Sequence, residues 1–439
     1  MPDRSAIAGR LSSSAAIAWS GGLLLPALLA LRLPAALDGQ DSVNFALGLR
    51  DFDPLLEQPH FPGYPVYIAV CRLLAQAGVP EALALALPGV IASAALVPAL
   101  VALGRRCAVP SPTLALASLL LVAQPLVLVE GPRPAPDLLA TVCAWLALAL
   151  SACRRPLAGG VVLGLALGVR VDLAPLAFVA AAFSGRERMS FASGLVLGVA
   201  LWFPALVLAL PPGALARGTD FAVGHFSVWG STALAGAGAS AAARGLAFGL
   251  AAPALPLLAG LGAARAEPTL RRWLVCALGP YTLWVLLGQN LASPRHLLPL
   301  APALALFAAC ALASLERRST RALAGLAAAL SLLAVDLVAR PWHPNGLELS
   351  ARVASACAGC SAVFAGPSER VLEHYAPAGA PLYRRATLDE VQRDLAAWPE
   401  LVGAIGITSE LVGSDRLGTH PETLAADLRL YRIDAAALR

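Results

Sequence analysis

Charge is scarce in this chain. Of its 439 residues only 13% are Asp, Glu, Lys or Arg, against about 25% in a soluble globular protein. Lysine is missing altogether, so all 32 basic residues are Arg. Hydrophobic residues make up 58% and the mean hydropathy is +0.72. That is more apolar surface than a water-soluble fold can hide. These shortages exclude a soluble enzyme, a nucleic-acid-binding module and a disordered scaffold. The net charge of +5 is no nucleic-acid footprint, because the arginines are scattered in pairs between apolar runs. Arg without Lys, beside so much Ala, Leu, Gly and Pro, reflects a GC-rich coding bias. The composition is that of a polytopic membrane protein.

Cysteine is thin as well, at eight residues, six of them in or beside apolar runs where they read as small hydrophobes. Cys357 and Cys360 form one C-x-x-C, and the second pair or the two His that a zinc site needs are missing. A local disulfide or two inert thiols fit better than a redox or metal role.

A spanning helix takes about 20 apolar residues. The first runs from Ala15 to Leu37, too long for the apolar region of a signal peptide, about 7–15 residues. Further spans are predicted at 83–104, 111–129, 137–153, 190–210, 245–263, 273–289, 297–315 and 322–339. The stretch 157–183 holds Arg170 and Asp172 at its middle. A single helix would put both in hydrocarbon, at about 2.5–3.5 kcal/mol each. Two short helices meeting at a polar apex are predicted instead. With the N-terminus cytoplasmic, about 11 transmembrane helices then place 14 of the 22 Arg in residues 1–339 on the inner side. Segment 59–80 stays outside as a juxtamembrane helix, opened by a Pro-rich turn and closed at Gly78-Val79-Pro80.

The last hundred residues carry 22 charges against 37 in the first 339. Short β-like runs (Ala362–Ala365, Val402–Ile407, Leu428–Ile433) alternate there with helix-like stretches (Ser368–Tyr375, Leu388–Ala397). The fold class expected is an all-α polytopic membrane bundle with a small C-terminal soluble α/β domain. The bundle covers 1–339, with an outer loop at 38–82, and the extracytoplasmic domain covers 340–439. Inverted repeats of the kind many transporters show are missing.

On this topology 11 of the 15 acids in residues 1–339 fall on or near the outer face. Asp38, Asp41, Asp51, Asp53 and Glu57 crowd the first outer loop. One of them could orient and deprotonate a hydroxyl; a solvated non-cytoplasmic loop would also tolerate acids. Arg133, Arg170 and Arg295 oppose the positive-inside trend near helix ends, where a guanidinium suits a lipid phosphate. Arg133 has Glu130 and Asp137 nearby in sequence and Arg170 has Asp172, so internal pairing competes. Arg295 has no acid close in sequence and adjoins His296, which favours phosphate contact. His225 and Trp229 could hold a sugar or anchor the interface, and His60 could touch a ligand or fix its turn.

These segments, in this order, resemble the GT-C superfamily of polytopic glycosyltransferases, most closely its protein O-mannosyltransferase-like and aminoarabinose-transferase-like branch of bacterial membrane proteins. Asp41 (or Asp38) matches the acid after the first helix, and His60-Phe61-Pro62-Gly63-Tyr64-Pro65 is similar to the H-P-P turn. Arg133 to Asp137 resembles an Arg-x-x-Asp loop, one residue longer, and Arg295-His296-Leu297-Leu298-Pro299-Leu300-Ala301-Pro302 a late R-[HY]-L-L-P-L-x-P segment. The likeness spans about 15–340. Ser42 stands where the family has a second acid, and Phe61 takes the first proline position.

The resemblance implies a bacterial inner-membrane enzyme that moves a sugar from a polyprenyl-phosphate-linked donor to a lipid, glycan or protein acceptor hydroxyl, with inversion. Asp41, or Asp38, would be the catalytic base. His60, Arg133, Asp137, His225, Arg295 and His296 would bind substrate, Arg295 stabilising the departing phosphate. No cofactor or divalent metal is expected, since no oxygen-ligand cage is evident. Partners are the lipid-linked donor, the acceptor and membrane lipids, with no nucleic acid. Two other readings stay open: a transporter or flippase, which would want charges near the bilayer midplane, and a non-catalytic scaffold.

Overall fold

The computed structural model describes residues 4–183, 185–229, 232–234, 254–290, 293–314, 345–356, 360–366, 368–375, 382–385, 387–398, 401, 405–407, 422–423 and 429–433. The span predicted at 322–339, residues 245–253 of another, and Cys357 lie outside the described residues, as does the side chain of Trp229.

Helices dominate. In chain order they are α1 (Arg4–Ala30), α2 (Gln40–Arg50), α3 (Pro65–Gln76), α4 (Glu81–Ala92), α5 (Leu96–Arg106), α6 (Ser111–Val122), α7 (Pro125–Glu130), α8 (Asp137–Ala152) and α9 (Pro156–Val169). After a 3-10 helix, Val171–Ala182, come α10 (Gly185–Ala200), α11 (Phe203–Ala209), α12 (Ala214–Gly224), α13 (Ala254–Arg265) and α14 (Pro268–Gly288). A second 3-10 helix, Pro294–Leu300, leads into α15 (Ala301–Leu312).

Among the described residues, Glu81–Arg106, Gly185–Ala209 and Pro294–Leu312 are long and apolar enough to cross a membrane. Shorter apolar helices, at 10–17 residues, coincide with other predicted spans at Ala15–Ala30, Ser111–Val122 and Asp137–Ala152. Proline explains one break: α6 stops at Val122 because Pro125 offers no N–H to continue the ladder and starts α7 instead. In Glu81–Arg106 the helix tightens to 3-10 geometry at Ser93–Ala95, just ahead of Pro98, and the Ser93 hydroxyl donates to the Val90 carbonyl. The outer side of Gly185–Ala209 is lipid-like, with Leu208 88% exposed. With the composition, these apolar surfaces make the chain an integral membrane protein.

Small residues set the closest helix pair. A Cβ on Gly160 would lie 2.1 Å from the Phe191 carbonyl oxygen, and one on Gly194 would lie 2.1 Å from that of Leu157. Gly164 and Gly198, one turn further along α9 and α10, face each other as closely. Two G-x-x-x-G stripes let these backbones touch, the usual packing device in lipid. The predicted break in 157–183 is present: α9 ends at Val169, Arg170 is extended, and the 3-10 helix follows.

The C-terminal segment contains α16 (Gly346–Ala356), α17 (Glu369–Tyr375) and α18 (Leu388–Ala397), with strands β1 (Val363–Ala365), β2 (Leu382–Arg384), β3 (Ile405–Ile407), β4 (Glu422–Thr423) and β5 (Arg429–Arg432). The strand order is β2-β1-β3-β5-β4; β1 runs parallel to β2 and β3, and β5 antiparallel to β3 and β4. Thr387 and Glu390 form a reciprocal capping box that starts α18. Alternation along β1 divides its burial. Phe364 packs with Leu388, Val391 and Leu395 in a small core, while Val363 and Ala365 join the apolar core continuous with the bundle.

Candidate active site

The segment that follows α1 is built to hold one carboxylate. Gly39 caps α2, and the Ser42 hydroxyl accepts from the N–H groups of Asp38 (3.1 Å) and Gly39 (3.0 Å) while donating to the Gly39 carbonyl (2.7 Å). That knot fixes Asp41 in the first turn of α2 and gives Ser42 a structural task. Asp53 is structural too, accepting from the Leu55 N–H at 2.8 Å to cap the 3-10 turn Pro54–Leu56. The turn before α3 carries cis peptide bonds at Gln58-Pro59 and Phe61-Pro62. It presents His60, whose Nε2 lies 2.8 Å from the Tyr64 hydroxyl.

A cavity of about 1030 Å³ opens between this loop, the Arg170 apex, α12 and the Pro294–Leu300 helix. Asp41, His60, Asp137, His225, Arg295 and His296 all line it, as do Arg170 and Asp172. Asp38 and Arg133 do not. Arg133 donates to Asp38 at 2.6 Å and to Glu130 at 3.0 Å, a closed cluster beside the cavity.

Two of the arginines have partners far off in sequence. Arg295, with no acid near it in sequence, is ion-paired with Asp41, 254 positions away. Asp137 pairs with Arg170 and not with Arg133, so the Arg133–Asp137 loop divides its two charges between separate clusters. Arg170 is the hub. It donates to Asp172 (2.9 Å from Nε), to Asp137 and to His296 Nδ1 (3.0 Å). Because a guanidinium only donates, His296 Nδ1 is the acceptor and the ring's hydrogen sits on Nε2.

The Asp41 side chain keeps 39% of its surface open to the cavity. Enclosure by the walls pushes its carboxyl up, but the Arg295 guanidinium holds it well below the usual carboxylate range. His60 Nδ1 stands 3.9 Å from Asp41 Oδ1. Burial drives His60 below the ordinary imidazole value; Asp41 pulls the other way and Arg295 adds to the lowering. At neutral pH Asp41 is therefore an anion and His60 is neutral. His60 Nδ1, Asp137 Oδ2 and Arg295 Nε are buried polar atoms with no hydrogen-bond partner among the described residues. Three such orphans on residues lining one cavity fit a polar ligand.

The apolar wall comes from Phe221, whose ring stacks on that of His225 at 3° and 6.3 Å, and from Trp284 on α14. Trp284 reads in the sequence as one more apolar residue of a spanning helix, and only the cavity reveals it. Arg170 and Asp172 were legible as charges interrupting an apolar run. Among the described residues no group of three His, Cys, Asp or Glu converges on a metal-sized site.

No protein-family model and no curated protein matches the chain. Solved structures do. ArnT from Cupriavidus metallidurans in the apo state superposes with a TM-score of 0.52 at 15% identity, covering 99% of both chains. A structure of ArnT bound to undecaprenyl phosphate gives a TM-score of 0.48 at 13% identity, again over 99% of both. The oligosaccharyltransferase of Archaeoglobus fulgidus, solved with Zn and sulfate, gives 0.53 at 15% identity over 89% of this chain and 68% of that one. These neighbours are GT-C glycosyltransferases, and the chain shares their fold.

Proposed function

We propose that the protein is a membrane glycosyltransferase that moves a sugar from a polyprenyl-phosphate-linked donor to the hydroxyl of an extracytoplasmic acceptor, with inversion. The observation that carries this reading is the meeting of Asp41 and Arg295 on one cavity wall, a carboxylate for a hydroxyl beside a guanidinium for a phosphate. The shared fold supports the reaction class, and the resemblance supports the lipid-linked donor.

Asp41 accepts a hydrogen bond from the acceptor hydroxyl and aims its oxygen at the anomeric carbon. As the new C–O bond forms, the bond to the donor phosphate breaks and its electron pair stays on phosphate oxygen. The hydroxyl proton passes to Asp41. Arg295 turns from Asp41 to the leaving phosphate, where a charge-assisted fork stabilises the developing charge. His60 and His296 hold the flanks of the site, and Phe221 and Trp284 offer rings for a sugar face. The reaction assigns leaving-group charge to Arg295 and not to a divalent cation, so transfer is expected to survive EDTA.

The reading includes a topology of about eleven crossings in a bacterial inner membrane, N-terminus cytoplasmic and residues 340–439 outside. A Cys placed in that segment should react with an impermeant thiol reagent added outside; protection would overturn the orientation. The chemistry is tested with purified protein in lipid, radiolabelled polyprenyl-phosphate sugars and cell-envelope acceptors. Asp41→Asn should lower transfer at least about a hundredfold and Asp38→Asn should retain it. Transfer that Asp41→Asn leaves undiminished would sink the mechanism. Donor binding without transfer across the whole panel would favour carriage of a lipid-linked substrate.

A further inference from the structure

The C-terminal segment reaches the catalytic loop at its start, middle and end. Leu37, directly before Asp38, has both peptide groups tied to it. Its N–H donates to the Tyr375 hydroxyl at 2.8 Å, and its carbonyl accepts from the Gly346 N–H at 2.9 Å. The approach is close: a Cβ on Gly346 would fall 2.3 Å from the Tyr375 ring. At the far end of α2, Arg50 pairs with Glu81, and His374 Nε2 lies 3.3 Å from the same carboxylate.

Arg370 on α17 holds the middle. One guanidinium nitrogen donates to Asn44 Oδ1 at 2.9 Å and another to the Leu56 carbonyl at 2.7 Å, with Glu57 at 4.0 Å. Asn44 is 2% exposed and lies one turn after Asp41 on α2. One planar fork thus fixes both the helix that carries Asp41 and the 3-10 turn that follows it. Loss of this contact leaves a buried amide oxygen without its donor and frees α2 to rotate or slide. Arg384 of β2 lines the catalytic cavity from the same segment, so the two parts share a wall.

We infer that α17 is a clamp on the catalytic loop and that Arg370 is a positioning residue, acting through Asn44 to set the place of Asp41 against Arg295. The clamp itself is a statement about α2. Its effect on transfer rests on the reading of Asp41 given above, and two readouts separate them.

The first is hydrogen exchange by mass spectrometry on the full chain in lipid. Peptides covering 38–50 should exchange roughly tenfold faster in Arg370→Ala, the equivalent of one charge-assisted hydrogen bond. Arg370→Lys should be intermediate. Arg352→Ala, which breaks the i, i+4 pair with Glu348 and leaves the Arg370 fork in place, should match wild type. Unchanged exchange in Arg370→Ala overturns the clamp. If that variant does not fold, Asn44→Ala removes the contact from the other side with the same expectation.

The second readout is transfer. Arg370→Ala should lower kcat by roughly tenfold to a hundredfold, the cost of a misplaced reacting group, with the donor KM within about twofold. Combined with Asn44→Ala it should cost no more than the larger single loss, because the two act through one contact. A rise in KM alone, or independent losses that multiply, overturns the positioning role. Absence of transfer in wild type rejects the reaction assigned to Asp41, while the exchange result still decides the clamp.

Discussion

Removing the hub of the polar apex should be among the most damaging single changes in the molecule. Arg170 is 9% exposed and Asp137 is 3% exposed, on the wall of the cavity. The guanidinium binds Asp137 on α8, Asp172 on the following 3-10 helix and His296 on the Pro294–Leu300 helix, so one side chain ties three elements together. Arg170→Met keeps the volume and removes the charge. Two carboxylates then lose the guanidinium that pairs with both, and His296 Nδ1 loses its donor. Breaking a buried pair from one side costs about 3–5 kcal/mol, a large share of a typical stability of about 5–15 kcal/mol. The penalty is the stranded charge, not the loss of attraction itself. Adding Asp137→Asn and Asp172→Asn to Arg170→Met should therefore restore at least about 2 kcal/mol, although two more native groups have been altered. Equilibrium unfolding in mixed micelles, followed by tryptophan fluorescence, measures all three proteins. A loss under about 1 kcal/mol for Arg170→Met, or a triple variant less stable than the single one, would refute a buried ion cluster here.

Arg295→Gln should raise the donor KM and lower kcat together, since the guanidinium serves both phosphate binding and departure; a kcat effect with unchanged KM would argue that it acts only on Asp41. Asp41→Asn should lower transfer by roughly 10²- to 10⁴-fold, the range for a positioned proton acceptor, measured in the labelled-donor assay. His60 gives a pH signature. Its folded value lies below 6.5 through burial, so acidification through about 6.5 protonates the unfolded chain first and stability falls. His225 and His374, lowered by burial as well, act in the same direction. His60→Asn should therefore make the decline of the unfolding midpoint between pH 7.5 and 5.5 shallower without abolishing it, and an identical slope would contradict the assignment. Gly194→Leu should separate α9 from α10 and cost about 1–3 kcal/mol or more, read in the same unfolding assay with Gly260→Leu, a site with open space, as control.

What the sequence disclosed about this fold follows from where polar residues are costly. Arg170 and Asp172 could not lie in hydrocarbon, and that one conflict located the break between α9 and the 3-10 helix. The Pro-rich turn before α3 and the acids after α1 were equally plain. Partners were not. Distance along the chain offered Arg133 both Glu130 and Asp137, and only Glu130 pairs with it; the pairs of Arg133 with Asp38 and Arg295 with Asp41, 95 and 254 positions apart, needed the fold. Departures from the family pattern also needed the fold. Phe61, standing at a proline position, packs against α12, where a Cβ on Gly218 would lie 2.3 Å from its ring. The glycine stripes of α9 and α10 have the i, i+4 spacing of a packing motif, but 38 glycines in the chain obscure it.

The pairing of Asp41 with Arg295 also bears on when Asp41 can act as a base. A carboxylate held by a guanidinium is a poor proton acceptor, so the ligand-free site is quiet by construction. Among the described residues Arg133 and Arg170 each satisfy two carboxylates, while Arg295 pairs with Asp41 alone and has a buried Nε without a partner. Of the three, Arg295 is the one that can exchange partners without stranding a second acid. On the proposed reaction the donor phosphate supplies that exchange. Once Arg295 turns to phosphate, the desolvating walls are no longer opposed by the guanidinium and Asp41 becomes more basic, next to the hydroxyl whose proton it must take. Accepting that proton neutralises Asp41, which removes the charge that Arg295 left unpaired. Donor binding and base activation are then one event, and a site short of charge gains its timing from having no cation to spare.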